Sequence, residues 1–430
     1  MKKIRRTTLW VVLAVVCAGW WYACRTEEPV KPRILISTDI GGTDPDDFQS
    51  MIHFLMYSDS FETEGLVSSP SYGEGKKQDI LDMIDLYEKD LPQLKKHADG
   101  FPDPDELRAV TKQGRQGEAP FAGYATATEG SDWIVRCARR EDERPLWVLV
   151  WGGLDDLAQA LHDAPDIRDR IRVYWIGGPN KKWSANSYVY IVEHFPDLWF
   201  IEANASYRGF FSDGGAPDSL SNDGYYDRCI RGAGHMGTDF KNYYGGRIKM
   251  GDTPSLLYVM HGDPNDPQGE SWGGSFAPMS YSPRFVFERP ALLTDTVLAY
   301  SVAEFRFEGP RIDLSVGTPC CTMSIAGQEW NGYYLGDGKY AVRYAFKQAE
   351  TLSYTIVSEI PGFEKQEGQI VVANVWPGDR RPEDYPVGPN WYTDRTEPEL
   401  FEGKWQGGKT LQKWRGEVLL DWAERWEWLE

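Results

Sequence analysis

The sequence predicts an α/β protein: a mostly parallel sheet with helices on both faces, then a small β-sandwich and a C-terminal helix. Three observations carry this. From Arg33 to about Phe285, short apolar runs alternate with helical patterns, as in βα units that feed a parallel sheet. Near Pro290 the chain turns to strand-like alternation with little helical periodicity. At its end, Thr410–Leu429 is amphipathic at helical spacing.

Taken in order, Ile34–Ile36 reads as a buried strand. Asp39, Asp44, Asp46 and Asp47 crowd the turn that follows, with Gly41 and Gly42 bending the backbone. A helix is expected over Gln49–Ser58, its apolar positions being Met51, Ile52, Phe54, Leu55 and Met56. Further strands are expected over Thr63–Val67, Leu146–Val150, Arg172–Ile176 and Leu198–Ile201. Helices are expected over Lys77–His97, Ala127–Arg139, Leu154–Ala164 and Tyr188–Phe195. Such sheets bind ligands at the carboxyl ends of their strands, where the acidic turn falls. In the second part, Ala303–Phe307, Cys321–Ile325, Tyr340–Phe346, Leu352–Ser358 and Gln369–Ala373 read as sandwich strands. Pro377–Pro398 is proline-rich and polar and is expected to be a loop lying across a surface. The final helix puts Leu411, Trp414, Val418, Leu419, Trp422, Trp426 and Leu429 on its apolar side and needs a groove, for which the first domain is the expected host. The domains are therefore a leader over 1–23, a linker over 24–32, the sheet domain over 33–289, the sandwich over 290–376, and an extended segment with its helix over 377–430.

The 430 residues carry a formal charge of −19, and the four basic residues of the acid-free leader mask a still more negative body. Phosphate backbones would repel such a chain, so nucleic acid is excluded as a partner. Aromatic residues make up 14% of the chain, which suits either sugar-stacking surfaces or filled cores. Lys2, Lys3, Arg5 and Arg6 precede an apolar stretch, Leu9–Trp21, that is short for a bilayer span. Tyr22-Ala23-Cys24 then resembles a bacterial lipoprotein cleavage site, which would make Cys24 the lipidated first residue; an uncleaved anchor is the alternative. Either way the body is expected outside the cytoplasm, on the cell envelope and at the outer membrane, with the membrane reached through the anchor. Cys137, Cys229, Cys320 and Cys321 have neither zinc-site nor redox spacing and are expected to be free thiols.

Four carboxylates within nine residues repel one another unless protons or a cation compensate. A hard divalent cation with oxygen ligands fits, and Ca²⁺ tolerates irregular carboxylate cages better than Mg²⁺ does. An acidic helix N-terminus, capped by Asp44 or Asp46, would need only one or two acids.

Five segments resemble a nucleoside-hydrolase-like family of secreted proteins described as cellulose-binding: TDIGGTDPDDFQSMIHFLMYS, LWVLVWGGLDDLAQAL, HFPDLWFIEANASYRGFF, GDTPSLLYVMHG with ESWGGSF, and KTLQKWRGEVLLDWAERWEWL. The resemblance implies a nucleoside-hydrolase-like sheet, an immunoglobulin-like sandwich and a returning helix. A more distant resemblance to inosine–uridine nucleoside hydrolases implies the chemistry. It makes Asp39, Asp47, Asp252 and the Trp151 carbonyl the Ca²⁺ ligands, with Asp39 also the general base and Asp46 beside the ion, reaching the sugar. Ser37 and Gly251 depart from that pattern, the latter standing where the distant family has a histidine that protonates the leaving group. Asn180 and Asn186 align with its substrate-binding asparagines, while Glu202 and Asn204 offer an alternative clamp. Arg208 is a candidate for a carboxylated or phosphorylated ligand, Trp272 for a sugar platform, and His235, His261 and Glu270 for contributions near the site. The function implied is a Ca²⁺-dependent hydrolase of glycosidic or N-glycosidic bonds, the alternative a non-catalytic carbohydrate-binding lipoprotein. Its small-molecule partner would be a carbohydrate or a nucleoside-like compound, and a homo-oligomer stays open.

Overall fold

The computed structural model describes residues 30–71 and 75–430. The leader, Cys24 and the linker as far as residue 29 lie outside the described residues. Strand β1 (Arg33–Thr38) is buried along its whole length. That burial matches its unbroken apolar run, since parallel strands are covered on both faces. It pairs with β2 (Glu62–Ser68), and β2 with the short β3 (Thr111–Gln113). On its other side follow β4 (Leu146–Val150), β5 (Ile171–Ile176) and β6 (Phe200–Ala203). The order β3-β2-β1-β4-β5-β6 is parallel throughout, and it reverses direction between β1 and β4. Ligand crevices open at such a reversal, at the carboxyl ends of the strands.

Alternate strand residues feed two cores. Ile34, Ile36, Trp147 and Leu149 face a core shared with the helices Asp46–Met56, Lys77–Leu94 and Thr253–Met260. Leu35, Val148 and Val150 face the other, with the helices Glu129–Ala138, Asp155–Asp163 and Ala185–His194.

The expectation of a loop over Pro377–Pro398 is corrected in its second half. Trp391–Asp394 is a strand that pairs in parallel with β6 and antiparallel with Phe276–Pro278, the edge strand. Its Trp-Tyr-Thr run has high strand propensity, which the surrounding prolines obscured in the sequence. The second sheet holds all five expected strands and adds Arg284–Phe287, Thr296–Leu298 and Gln328–Gly336. Its eight strands form one continuous ladder that folds over, so that Phe305 near one end packs 4.7 Å from Tyr354 near the other. The four cysteines of the body are free. Among the described residues no helix is long and apolar enough to cross a membrane.

Candidate functional site

Asp39 follows β1 directly, and Trp151 follows β4. The Trp151 amide donates to the Ser37 carbonyl at 2.7 Å, holding the two strand ends side by side. Gly152 is required there: a Cβ would lie 2.6 Å from that of Asp39. Asp46 and Asp47 open the helix Asp46–Met56, and Asp252 stands immediately before the helix Thr253–Met260. The helix Asp46–Met56 draws this late segment in. Gln49 accepts from the amides of Lys249 (2.9 Å) and Met250 (3.1 Å) and donates to the Arg247 carbonyl (2.8 Å). Ser50 Oγ accepts from the Asp252 amide at 3.2 Å.

Carboxylate oxygens of Asp46, Asp47 and Asp252 lie within 4.8 Å of one another. Asp39 borders this trio. Its carboxylate accepts from Ser71 Oγ, and that of Asp47 accepts from Thr38 Oγ1. Burial pushes the Asp39 carboxyl up to about 6, and it pushes Asp46, Asp47 and Asp252 well above the usual carboxylate range, their mutual repulsion adding to the effect. Lys249 supplies one compensating charge, 2.7 Å from Asp44 and 3.3 Å from Asp46. Although burial opposes it, that pairing holds the ammonium above the usual lysine range. Among the described residues no such partner reaches Asp252, which is only 4% exposed and whose Oδ2 has no hydrogen-bond partner. A desolvated carboxylate oxygen without a donor, beside two more carboxylates, fits a hard cation.

These residues line a cleft of about 330 Å³ together with Trp151, Asn180, Arg208, Tyr207, Phe211 and Trp183. Lys347, from the loop after the strand Lys339–Ala345 of the second sheet, and Lys404 and Trp405, from the C-terminal segment, also line it. Asn180 donates to the Trp151 carbonyl at 2.6 Å. That carbonyl is thereby fixed, with a second lone pair left for a ligand.

The model of one protein family, described as cellulose-binding Sde182, nucleoside hydrolase-like domain, matches residues 33–276, more than half of the chain and all of the carboxylate cluster. The chain belongs to that family. No curated protein sequence matches it. Among solved structures it is similar to a nucleoside hydrolase-related protein from Saccharophagus degradans associated with carbohydrate metabolism, at 18% identity over 80% of this chain and 100% of that one, with a TM-score of 0.49. An inosine-guanosine nucleoside hydrolase aligns at 13% identity over 59% of this chain and 83% of that one (TM-score 0.39). An inosine-uridine preferring nucleoside hydrolase from Bacillus anthracis aligns at 13% identity over 59% and 87% (TM-score 0.36).

Within this nucleoside-hydrolase-like chain, several residues expected at the site stand elsewhere. Asn186 does not line the cleft: it donates to the Ala119 carbonyl at 3.1 Å and lies 3.4 Å from the Tyr333 hydroxyl, against the second sheet. Glu202 is fully buried in an ion pair with Lys181 (2.6 Å) and accepts from Asn204, so this alternative clamp is internal scaffolding. Trp272 stacks on His261 (4.8 Å) and donates to Glu417 of the C-terminal helix, so it packs at a junction instead of facing the cleft. Glu270 pairs with Lys413, and the backbone of His235 is held by Asp90. The sequence reading missed Lys249, Gln49, Tyr207, Lys347, Lys404 and Trp405. Only Lys249 carried a signal, as a base three residues before Asp252; the others come together through folding alone.

Proposed function

We propose that this chain is a Ca²⁺-dependent hydrolase of glycosidic or N-glycosidic bonds in a sugar derivative, working outside the cytoplasm from a lipid anchor at Cys24. The observation that carries the reading is the unpartnered, desolvated Oδ2 of Asp252 beside Asp46 and Asp47. Asp47 and Asp252 would hold the ion, with Asp39, Asp46 and the Trp151 carbonyl as the remaining oxygen donors at hand. When bound, Ca²⁺ supplies the charge that lets these carboxylates coexist, and it acidifies water in the cleft. Asp39 is the general base that takes the proton of the attacking water. The neighbouring carboxylates stabilise the positive charge that develops at the anomeric carbon. Asn180 and Arg208 orient the sugar. Gly251 leaves the distant family's histidine position without a side chain, so furanosides and glycan fragments rank ahead of nucleosides as substrates.

The test is calorimetry with Ca²⁺ on the full chain, joined to a turnover screen on those compounds. Ca²⁺ uptake is expected, and Asp252→Asn is expected to abolish it. Asp39→Ala should lower turnover by about 10²-fold or more while circular dichroism stays unchanged. Full turnover in Asp39→Ala would overturn the mechanism. The second reading, an anchored carbohydrate binder, draws on the family's cellulose-binding description and on the vacant histidine position. Retention on insoluble polysaccharide without turnover of any compound would favour it.

A further inference from the structure

Three arginines of the described chain are nearly inaccessible, and in two of them every guanidinium nitrogen has a protein partner. Arg33 is held by Glu64 and by the carbonyls of Arg144 and Cys137. Arg415 is held by the carbonyls of Phe210 and Leu220 and by Asn222. The third, Arg208, is 9% exposed and makes a single hydrogen bond, from Nε to the Tyr207 hydroxyl at 3.1 Å. Among the described residues its terminal nitrogens have no protein acceptor, and no carboxylate lies within 4.0 Å. The residue lines the cleft, so the N–H donors that no protein group takes are left for a ligand or water there. The groups that act on it most strongly are Tyr207, Tyr300 and Asp394, and Asp394 already accepts from the amides of Asn204, Ala205 and Ser206.

Arg208 lines the cleft, and so do Lys347 and Lys404. Both lysines are exposed, and neither has a carboxylate within 4.0 Å among the described residues. Three cations without acid partners thus reach one cleft from three separate parts of the chain, whereas Lys249, beside the carboxylates, is paired. We infer that the cleft takes an anionic sugar derivative, one bearing a carboxylate or a phosphate, whose anionic group is bound by Arg208 with Lys347 and Lys404. Arg208 suits the anchor role, since its planar fork matches two oxygens of either group. The inference rests on the reading of this cleft as the substrate site and names the class of substrate.

The experiment is calorimetry on the full chain with Ca²⁺ present, using matched pairs: methyl glucuronoside against methyl glucoside, and ribose 5-phosphate against ribose. At least one anionic member should bind about tenfold or more tightly than its neutral partner, the scale of one charge-assisted hydrogen bond. Which pair shows the preference separates carboxylate from phosphate. Lys347→Ala/Lys404→Ala, which alters only exposed side chains, should cut the preference to about threefold or less, and Arg208→Lys should weaken it through loss of the fork. Equal or tighter binding of the neutral members, no binding of either anionic sugar at millimolar concentration, or an unchanged preference in the double variant would overturn the inference. Binding is read apart from turnover. A retained preference without turnover of any compound would therefore sink the hydrolase reading alone, and turnover of neutral compounds without preference would sink this one alone.

Discussion

Gly251 makes room for Asp46 at the level of single atoms. Its amide donates to Asp46 Oδ2 at 3.1 Å, and a Cβ built there would fall on that same oxygen. The position therefore has no room for a side chain while Asp46 stays on Lys249 and the backbone. Gly251→Ala is expected to dislodge Asp46 and lower Ca²⁺ affinity by about tenfold, the scale for losing a group that orients a ligand. Calorimetry reads that loss, and a thermal midpoint close to that of the parent would separate it from unfolding.

The helix Asp46–Met56 is the element on which the cluster depends, and another helix backs it from the end of the chain. Arg415–Glu427 buries Val418, Leu419, Trp422 and Trp426. Trp422 stacks on Tyr225 at 5.7 Å and meets His53 edge-on at 5.2 Å. Arg425 donates to the Met56 carbonyl at 2.7 Å and pairs with Asp59 at 2.6 Å. The C-terminal helix thus closes the core behind the two aspartates. Trp422→Ala should cost about 3–5 kcal/mol, the range for removing a large buried aromatic, as measured by urea denaturation. A shift below about 1 kcal/mol would show that this packing does not hold the helix in place. The apolar side of this helix joins the core that holds Met56, Tyr57 and Tyr225.

At the scale of the whole molecule, the chain leaves the first sheet at Phe276–Pro278, builds the second sheet, and returns through Trp391–Asp394. Asp394 at the end of that strand gathers three amides of the segment Asn204–Ser206, which leads into Arg208, so the return strand sets the wall of the cleft. Charge has an effect at the same scale. The Asp39 carboxyl rises to about 6 in the folded chain, against its ordinary value near 4, so the folded state binds more protons than the unfolded one in that interval. Without metal, stability from this group is present below about pH 4 and is lost as pH rises through 6. Ca²⁺ binds the ionised carboxylates and should reverse the trend. The thermal midpoint of the chelated protein is expected to fall between pH 4 and 7, and added Ca²⁺ should raise it more at pH 7 than at pH 4.5. Equal Ca²⁺ shifts at both values would remove the carboxylates from the binding step.

The sequence by itself determined the parallel sheet, its order of strands and helices, and the acidic turn after β1, while Asp252 entered only through resemblance to a known family. The first three are written in local periodicity or in residues whose repulsion demands compensation. Only the tertiary structure decided which polar residues face the cleft. Asn186, Glu202 and Asn204 have the composition of a sugar clamp, yet folding turned them into buried bonds between helix, strand and second sheet. Arg208, Lys347 and Lys404 lie far apart in the chain with no shared motif, and they meet because a strand near residue 391 re-enters the first sheet. Periodicity reports how much of a side chain is buried; it does not report against what.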